Sequence, residues 1–177
     1  ARAPEVSAVP VLIKQISQWD DLSGPVEAVE SLDLRPRVSG YIDRVKYEAG
    51  QEVRKGDELF TIDSRSYRAE LARAQADLAR ARSQAELGRS EAARAKKLSD
   101  LQAISTESYE QRRSAAAEAQ ANVAAAQAAV DAARLNLEFT QVRAPISGRA
   151  GRALVTAGNL VSAGDAASVL TTLVSLD

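Results

Sequence analysis

Residues 37–57 read RVSGYIDRVKYEAGQEVRKGD, and residues 145–165 read PISGRAGRALVTAGNLVSAGD. Ser, Gly, Ala, Val and Asp residues recur between the two stretches, and each pair is separated by 108 residues with no gap. One copy, of about 35 residues, is too short to bury a hydrophobic core alone. The two copies are therefore predicted to pair into one small β-sandwich, with Gly at the turns because Gly tolerates positive φ. The predicted turn glycines are Gly40, Gly50, Gly56, Gly148, Gly158 and Gly164.

Residues 64–138, which separate the two copies, have a composition typical of helices. They contain one Gly and no Pro, and they are rich in Ala, Arg, Gln and Glu. Apolar residues recur every seven positions, as in a coiled coil, although the pattern weakens near Gly88 and predicts a local irregularity there. The residues assigned to the seam are Leu71, Leu78, Tyr109, Ala116, Val123, Val130 and Leu137, with Arg112, Ala119, Ala126 and Ala133 as a companion row.

The apolar rhythm breaks at residues 98–108, LSDLQAISTES. The segment is therefore predicted to form two antiparallel helices joined by a turn near residues 99–106. Ser105 or Thr106 is a candidate N-cap for the second helix. Arms of roughly 36 residues, at about 1.5 Å per residue, give a rod near 55 Å long. A thin rod of this kind is suited to reaching a partner and not to enclosing a substrate.

The charged residues are balanced, with 23 Lys and Arg against 24 Asp and Glu, which gives no general attraction to nucleic acid or anionic membranes. The chain has no His and no Cys, which excludes Cys/His zinc sites and catalysis by His or Cys. Carboxylates such as Asp20, Asp21 and Asp63 have no such companions and no glycine-rich phosphate loop, so they are assigned to the surface. The sequence predicts no enzyme, no catalytic residue, no metal site and no cofactor.

The amino-terminal residues 5–33 are rich in β-branched residues and carry Pro10, and they predict strands with too little apolar surface for a core of their own. No stretch of the sequence approaches the ~18 apolar residues of a membrane-spanning helix. The absence of Met at position 1 predicts that the amino end was processed or cropped, which would also remove any signal peptide or lipid-anchoring Cys.

The repeated unit carries a family resemblance. Residues 38–63, VSGYIDRVKYEAGQEVRKGDELFTID, and residues 144–165, APISGRAGRALVTAGNLVSAGD, resemble the two half-motifs of lipoyl and biotinyl domains. A sandwich of this kind that is interrupted by an α-helical hairpin resembles the periplasmic adaptors, or membrane fusion proteins, of the HlyD-like family. The second half-motif and the tail LTTLVSLD resemble most the adaptors of RND-type multidrug efflux pumps.

This resemblance covers residues 5–177 and implies an α+β fold: a split lipoyl-like domain, or barrel-sandwich hybrid, interrupted by a long antiparallel coiled-coil hairpin. Adaptors of this kind also have a β-barrel and usually a membrane-proximal domain after the second half-motif, so the resemblance implies a chain cut short at Asp177. The expected division is into residues 1–33 as strands of an incomplete barrel, 34–63 as the first half-motif, 64–138 as the hairpin and 139–177 as the second half-motif.

The hairpin tip carries a further resemblance. Adaptors of this family have an Arg–Leu–Ser motif there, which engages the periplasmic end of the outer-membrane channel, and RAKKLSDLQAIS at residues 94–105 matches its spacing. The resemblance implies that Leu98 supplies an apolar contact, Arg94 several hydrogen bonds, and Ser105 both a helix cap and a contact. The alternative interpretation of the same residues is a solvated Arg, a seam Leu and an N-cap Ser.

The function that the resemblance implies is that of a periplasmic adaptor subunit of a tripartite drug-efflux pump. The expected partners are an inner-membrane RND transporter, a TolC-like outer-membrane channel and further copies of the chain, which would assemble into a sealed conduit. No nucleic acid is expected. The expected location is the periplasm of a Gram-negative bacterium, with attachment to the inner membrane.

Three other interpretations of the sequence stay open. Adaptors of ABC pumps or of type I secretion exporters use the same modules. A lipoyl or biotin carrier would need a Lys at the joint between the two halves, where TIDSRSY and EFTQVRAP lack one, and the nearby Lys46 and Lys55 belong to turns of the first half-motif. A generic coiled-coil scaffold would explain the seven-residue pattern but not the repeat.

Overall fold

The computed structural model describes residues 3–5, 7, 9–11, 13–15, 30–164 and 167–175. These residues form eight strands and two long helices. The helices, α1 Arg65–Asp100 and α2 Thr106–Phe139, lie between the fourth and fifth strands. The strands are β1 Ser31–Leu34, β2 Gly40–Val45, β3 Glu52–Val53, β4 Glu58–Ile62, β5 Gln141–Arg143, β6 Gly148–Ala150, β7 Leu160–Val161 and β8 Thr171–Val174.

The strands form two antiparallel sheets, in the orders β1-β8-β6-β3 and β5-β4-β2-β7. Each sheet takes strands from both sides of the hairpin, so neither half of the repeat makes a sheet by itself. The apolar side chains of both sheets share one core, in which Ile42, Phe60, Ile62, Val161 and Leu173 are at most 2% exposed. The fold is α+β, and the prediction of a split sandwich interrupted by a helical hairpin is confirmed.

The two halves of the repeat make matching contacts across the sandwich. Gly40 of β2 lies opposite Val161 of β7, and the residues 108 positions away make the same pair, Gly148 of β6 opposite Val53 of β3. The two copies of the sequence repeat are therefore related by pseudo-twofold symmetry in the fold. A Ser hydroxyl in each half accepts a backbone N–H from the other half at 2.9 Å, with Ala163 donating to Ser39 and Lys55 donating to Ser147.

The repeat glycines serve two different structural needs. Four of them have a φ between 84° and 97°, which favours Gly: Gly50, Gly56, Gly158 and Gly164. Gly40 and Gly148, which the sequence also assigned to turns, instead begin β2 and β6. A Cβ at Gly148 would collide with the carbonyl of Val174, and one at Gly40 would lie 2.7 Å from the Cγ2 of Ile62. Close packing, and not turn geometry, requires Gly at these two positions.

The two helices form an antiparallel hairpin. Arg82 on α1 donates a hydrogen bond to Gln127 on α2, and nearer the turn Arg112 pairs with Glu91. The residues that the sequence assigned to the seam are all buried or half-buried: Leu71, Leu78, Tyr109, Ala116, Val123, Val130 and Leu137. Ala side chains at most other seam positions allow the two backbones to lie close together.

The predicted irregularity at Gly88 is absent, because α1 continues through this residue as regular helix. Gly88 is half-buried in the seam, and a Cβ there would lie only 3.3 Å from the Cα of Ala116. The side-chain pattern weakens at this position because Gly has no side chain, although the seam itself continues through Ala92 and Ala95. Gly88 therefore marks a close approach of the two helices and not a break.

The strands expected within residues 5–33 fall largely outside the described part of the chain. The described residues between 3 and 15 contain no strand or helix, and residues 16–29 are not described. The first strand, β1, begins at Ser31 and pairs with β8 in the sandwich. Among the described residues, neither helix has an apolar stretch sufficient to cross a lipid bilayer.

Candidate docking site at the hairpin tip

The turn at the tip is fixed by backbone hydrogen bonds at the end of α1. Gln102 has a positive φ of 56°, and its N–H donates to the carbonyl of Ser99 at 2.9 Å. The N–H of Ala103 donates to the carbonyl of Leu98 at 2.8 Å. These two bonds form a Schellman motif, which satisfies carbonyls that α1 would otherwise leave without a partner. The motif usually carries Gly where this chain has Gln102, so the sequence of this turn does not predict a Schellman motif.

The second helix begins with a side-chain cap. Ser105 has extended backbone geometry, and its Oγ accepts the N–H of Ser108 at 3.1 Å. Glu107 lies in the first turn of α2, where a negative charge is favourable near the helix N-terminus. The predicted cap at Ser105 is confirmed, and the turn between the helices is therefore hydrogen-bonded both at the end of α1 and at the start of α2.

A shallow groove of about 190 Å³ lies on one side of the tip and is shared by the two helices. Arg94 and Leu98, one helical turn apart on α1, line it together with Ile104 from the turn. Ser108 and Arg112 line it from α2. The groove is therefore lined by both apolar and arginine side chains, and it is open to solvent.

Two exposed apolar side chains lie at the tip, one lining this groove and one in the turn. Leu98 is 39% exposed, and Leu101, at the apex of the turn, is 76% exposed. Arg94 makes no hydrogen bond or ion pair with the described residues. Exposed apolar side chains grouped with arginine are typical of a surface that binds another protein.

The structure brings together two of the three residues that the sequence assigned to channel contact. Arg94 and Leu98 line the groove, whereas Ser105 lies at the turn and uses its Oγ as the N-cap acceptor. Ser108 and Arg112 line the groove but were not assigned to the site. The seam pattern placed Arg112 in the companion row, but its side chain is 52% exposed and its Nη1 lies 3.3 Å from Oε2 of Glu91.

The other grooves of the molecule have a different character. One of about 360 Å³ lies between the edges of β1 and β5, where Arg37 stacks on Phe139 with its Cζ 4.9 Å from the ring centroid. In the described part of the chain, no group of acidic residues is placed to hold a metal ion. The tip groove lies at the far end of the rod, where a partner is easily reached.

Comparison with known proteins agrees with this architecture. Residues 30–173 match the family model described as "RND MFP, barrel-sandwich hybrid domain". The chain belongs to this family. Its members are RND-type membrane fusion proteins.

Two relatives illustrate the match. The chain is 38% identical over 168 residues to "Multidrug efflux pump subunit AcrA" of Escherichia coli, across 95% of this chain and 42% of AcrA. It is 37% identical over 174 residues to "Toluene efflux pump periplasmic linker protein TtgD" of Pseudomonas putida, across 98% of this chain and 42% of TtgD. The chain therefore spans less than half the length of these relatives.

Solved structures share the fold. The crystal structure of a MacA–MexA chimera, which contains the α-hairpin domain of Pseudomonas aeruginosa MexA, superposes with a TM-score of 0.64 at 33% sequence identity. The match covers 85% of this chain and 49% of the chimera. ZneB from Cupriavidus metallidurans superposes with a TM-score of 0.60 at 27% identity, over 85% of this chain and 63% of that one.

Proposed function

We propose that this chain is the hairpin and lipoyl-like part of a periplasmic adaptor that links an inner-membrane RND transporter to an outer-membrane channel. The observation that carries the proposal is the exposed groove at the tip, where Arg94 and Leu98 lie side by side. It is held at the end of a helix of 36 residues, about 54 Å at 1.5 Å per residue. An exposed apolar surface at the end of a long rod is suited to contact a partner far from the sandwich.

The match to the RND family supports an RND transporter over an ABC pump or a type I exporter as the inner-membrane partner. The names of the relatives, an efflux pump subunit and a periplasmic linker, support a location in the periplasm. We propose that the chain works there by contact alone, without catalysis.

Lateral packing of several copies into a conduit is part of the same proposal. The exposed faces of the hairpin carry ion pairs within each helix, such as Asp77 with Arg80 and Asp131 with Arg134. Because both signs of charge alternate on these faces, neighbouring hairpins would not repel one another. The face is therefore compatible with side-by-side packing of identical rods.

The experiment that tests the proposal uses the lack of Cys in the chain. Ala103, exposed in the turn, is replaced by Cys in the gene that encodes this chain, and cell envelopes are treated with a short thiol-to-amine cross-linker. We expect an outer-membrane channel in the adduct, identified by mass spectrometry. The matched control is Ala72→Cys, an exposed position near the base of α1, which should not capture the channel. Equal capture from both positions, or from neither, would overturn the proposed tip contact.

A further inference from the structure

Arg112 occupies a position in α2 where the seam otherwise has small apolar residues. The positions seven, fourteen and twenty-one residues further on are Ala119, Ala126 and Ala133, which are half-buried or buried. Arg112 is instead 52% exposed at the end of the seam, where it lines the tip groove. A long cationic side chain in place of Ala does not improve helix packing. The presence of Arg at position 112 must therefore be explained by another interaction.

The ion pair with Glu91 does not supply that explanation. The Nη1 of Arg112 lies 3.3 Å from the Oε2 of Glu91, whose side chain is 43% exposed. Ion pairs as exposed as this contribute about 0–1 kcal/mol to stability. A guanidinium has five N–H donors, and this contact uses one of them. The remaining donors of Arg112 have no acceptor among the described residues, and Arg112 lines an open groove.

The charges of the groove indicate what it would bind. Arg94 and Arg112 contribute two positive charges and Glu91 one negative charge, which leaves a surplus of one positive charge. Leu98 and Ile104 line the same groove and provide apolar surface. The complementary surface is one carboxylate beside an apolar side chain, because a guanidinium binds a carboxylate with paired, charge-assisted hydrogen bonds.

We propose that Arg112 is a further partner-contacting residue of the tip, and that the groove takes a carboxylate flanked by an apolar side chain from the periplasmic end of the channel. This inference rests on the proposed adaptor function. Arg112 binds the carboxylate together with Arg94, and Leu98 contacts the apolar neighbour. Glu91 pairs with Arg112 in the absence of the partner and competes with the partner's carboxylate for its guanidinium.

Two substitutions separate partner contact from a purely structural role. Arg112→Gln removes the cation but keeps a good helix former, and Glu91→Gln removes the other half of the ion pair and leaves Arg112 in place. If Arg112 served only the ion pair, both variants would have the same effect. If Arg112 binds a carboxylate, the two variants act differently, because Glu91→Gln leaves the groove more positive.

The experiment measures the yield of the Ala103→Cys cross-link to the identified channel in variants of the full adaptor. We expect Arg112→Gln to lower the yield about tenfold, since a hydrogen bond to a charged group is lost. Glu91→Gln should leave the yield equal or higher. Arg113→Gln is the matched control, because Arg113 is the next residue, is exposed and does not line the groove. Its yield should equal that of the parent protein.

The outcomes distinguish this inference from the function on which it rests. Equal yields for Arg112→Gln and Arg113→Gln would overturn the role of Arg112 and leave the adaptor function intact. If Arg112→Gln and Glu91→Gln lowered the cross-link yield equally, Arg112 would act only through its ion pair with Glu91. That result would overturn the proposed carboxylate site. No capture of a channel by the parent Ala103→Cys protein would overturn the adaptor function at the tip and this inference with it.

Discussion

The carboxylate of Asp63 joins the last strand before the hairpin to the first turn of α1. It accepts hydrogen bonds from the backbone N–H of Arg65 at 3.0 Å and from Nη2 of the same residue at 2.6 Å. These hydrogen bonds lower the pKa of Asp63 from its ordinary value of 3.8 to about 2. The sequence assigned Asp63 to the surface, and in the structure it is a surface residue that also holds the entry to the helix.

This pKa shift predicts a specific dependence of stability on pH. The folded chain binds the Asp63 proton more weakly than the unfolded chain, so the stabilisation is fully present above about pH 4 and is lost as the pH falls through about 2. The thermal midpoint of Asp63→Asn should therefore be lower than that of the parent protein at pH 7. The two midpoints should converge as the pH falls from 4 to 2. Circular dichroism melts at these pH values measure the difference.

The matched control for this measurement is Asp43→Asn. It removes the same charge from an exposed position that makes no hydrogen bond with the described residues and interacts with Arg65 only through space, so it separates the Asp63 hydrogen bonds from the charge alone. Its effect on the melting midpoint should be small at every pH. A difference between Asp63→Asn and the parent protein that stayed constant from pH 7 to pH 2 would contradict the assignment of the stabilising contact to the ionised carboxylate.

At the scale of the hairpin, the distance between the helices is set by small residues in the seam. Gly88 faces Ala116, and a Cβ placed on Gly88 would lie 3.3 Å from the Cα of Ala116. Replacing Gly by Ala within a helix gains about 1 kcal/mol of helix propensity. The crowding against Ala116 opposes this gain, so Gly88→Ala should change the free energy of unfolding little. Larger side chains have no room unless the helices separate.

Gly88→Leu is therefore expected to destabilise the hairpin by about 1–3 kcal/mol, the usual cost of overpacking. Urea unfolding followed by circular dichroism measures this change. Ser90→Leu introduces the same side chain at an exposed position on α1, where the change should stay within about 0.5 kcal/mol. If Gly88→Leu were as stable as Ser90→Leu, the helices would not be in close contact at Gly88.

The sequence predicted the elements of the hairpin better than its details. The seven-residue spacing identified the seam because burial repeats with the same period, and Ser105 was found because a side-chain acceptor is typical of a helix start. Gln102 could not be found, since nothing in its side chain marks a left-handed backbone. Arg112 was misplaced because a periodic pattern does not show where a seam ends and a surface begins.

The candidate site was predicted through its resemblance to a family, and the structure adds geometry that spacing cannot provide. Arg94 and Leu98 were selected by their position in a motif, and they do line one groove. The α2 residues Ser108 and Arg112 complete that groove, and only the folded turn brings them beside α1. Contacts across a hairpin depend on the register between its helices, which the turn of residues 101–105 sets.

At the scale of the whole molecule, the hairpin and the sandwich meet over a small area. Residues 37–39, here called the latch, connect β1 to β2 and touch both helices. The Tyr67 hydroxyl on α1 donates to the carbonyl of Ser39 at 2.6 Å, and Arg37 stacks on Phe139 at the end of α2. Val38, between them, is 6% exposed in the core. The latch thus anchors the base of both helices to the sandwich.

We expect the latch to limit how far the hairpin tilts relative to the sandwich. Because the rod is about 54 Å long, a tilt of about 10° at its base would move the tip by about 9 Å. Tyr67→Phe removes one tether and Arg37→Ala the other, without changing the seam residues further along the hairpin. The double variant should therefore keep its helix content but sample a wider range of tip positions.

This prediction is measured with spin labels on Cys introduced at Ala103 in the tip and at Ala157 in an exposed turn of the sandwich. Double electron–electron resonance should give a broader distance distribution for Tyr67→Phe with Arg37→Ala than for the parent protein. The control is Tyr41→Phe with Arg44→Ala, which changes the same residue types at exposed positions whose side chains make no hydrogen bond with the described residues. An unchanged distribution in the latch variant would mean that the chain connections alone fix the angle. A broader one would make the latch the part of the fold that aims the tip groove at its partner.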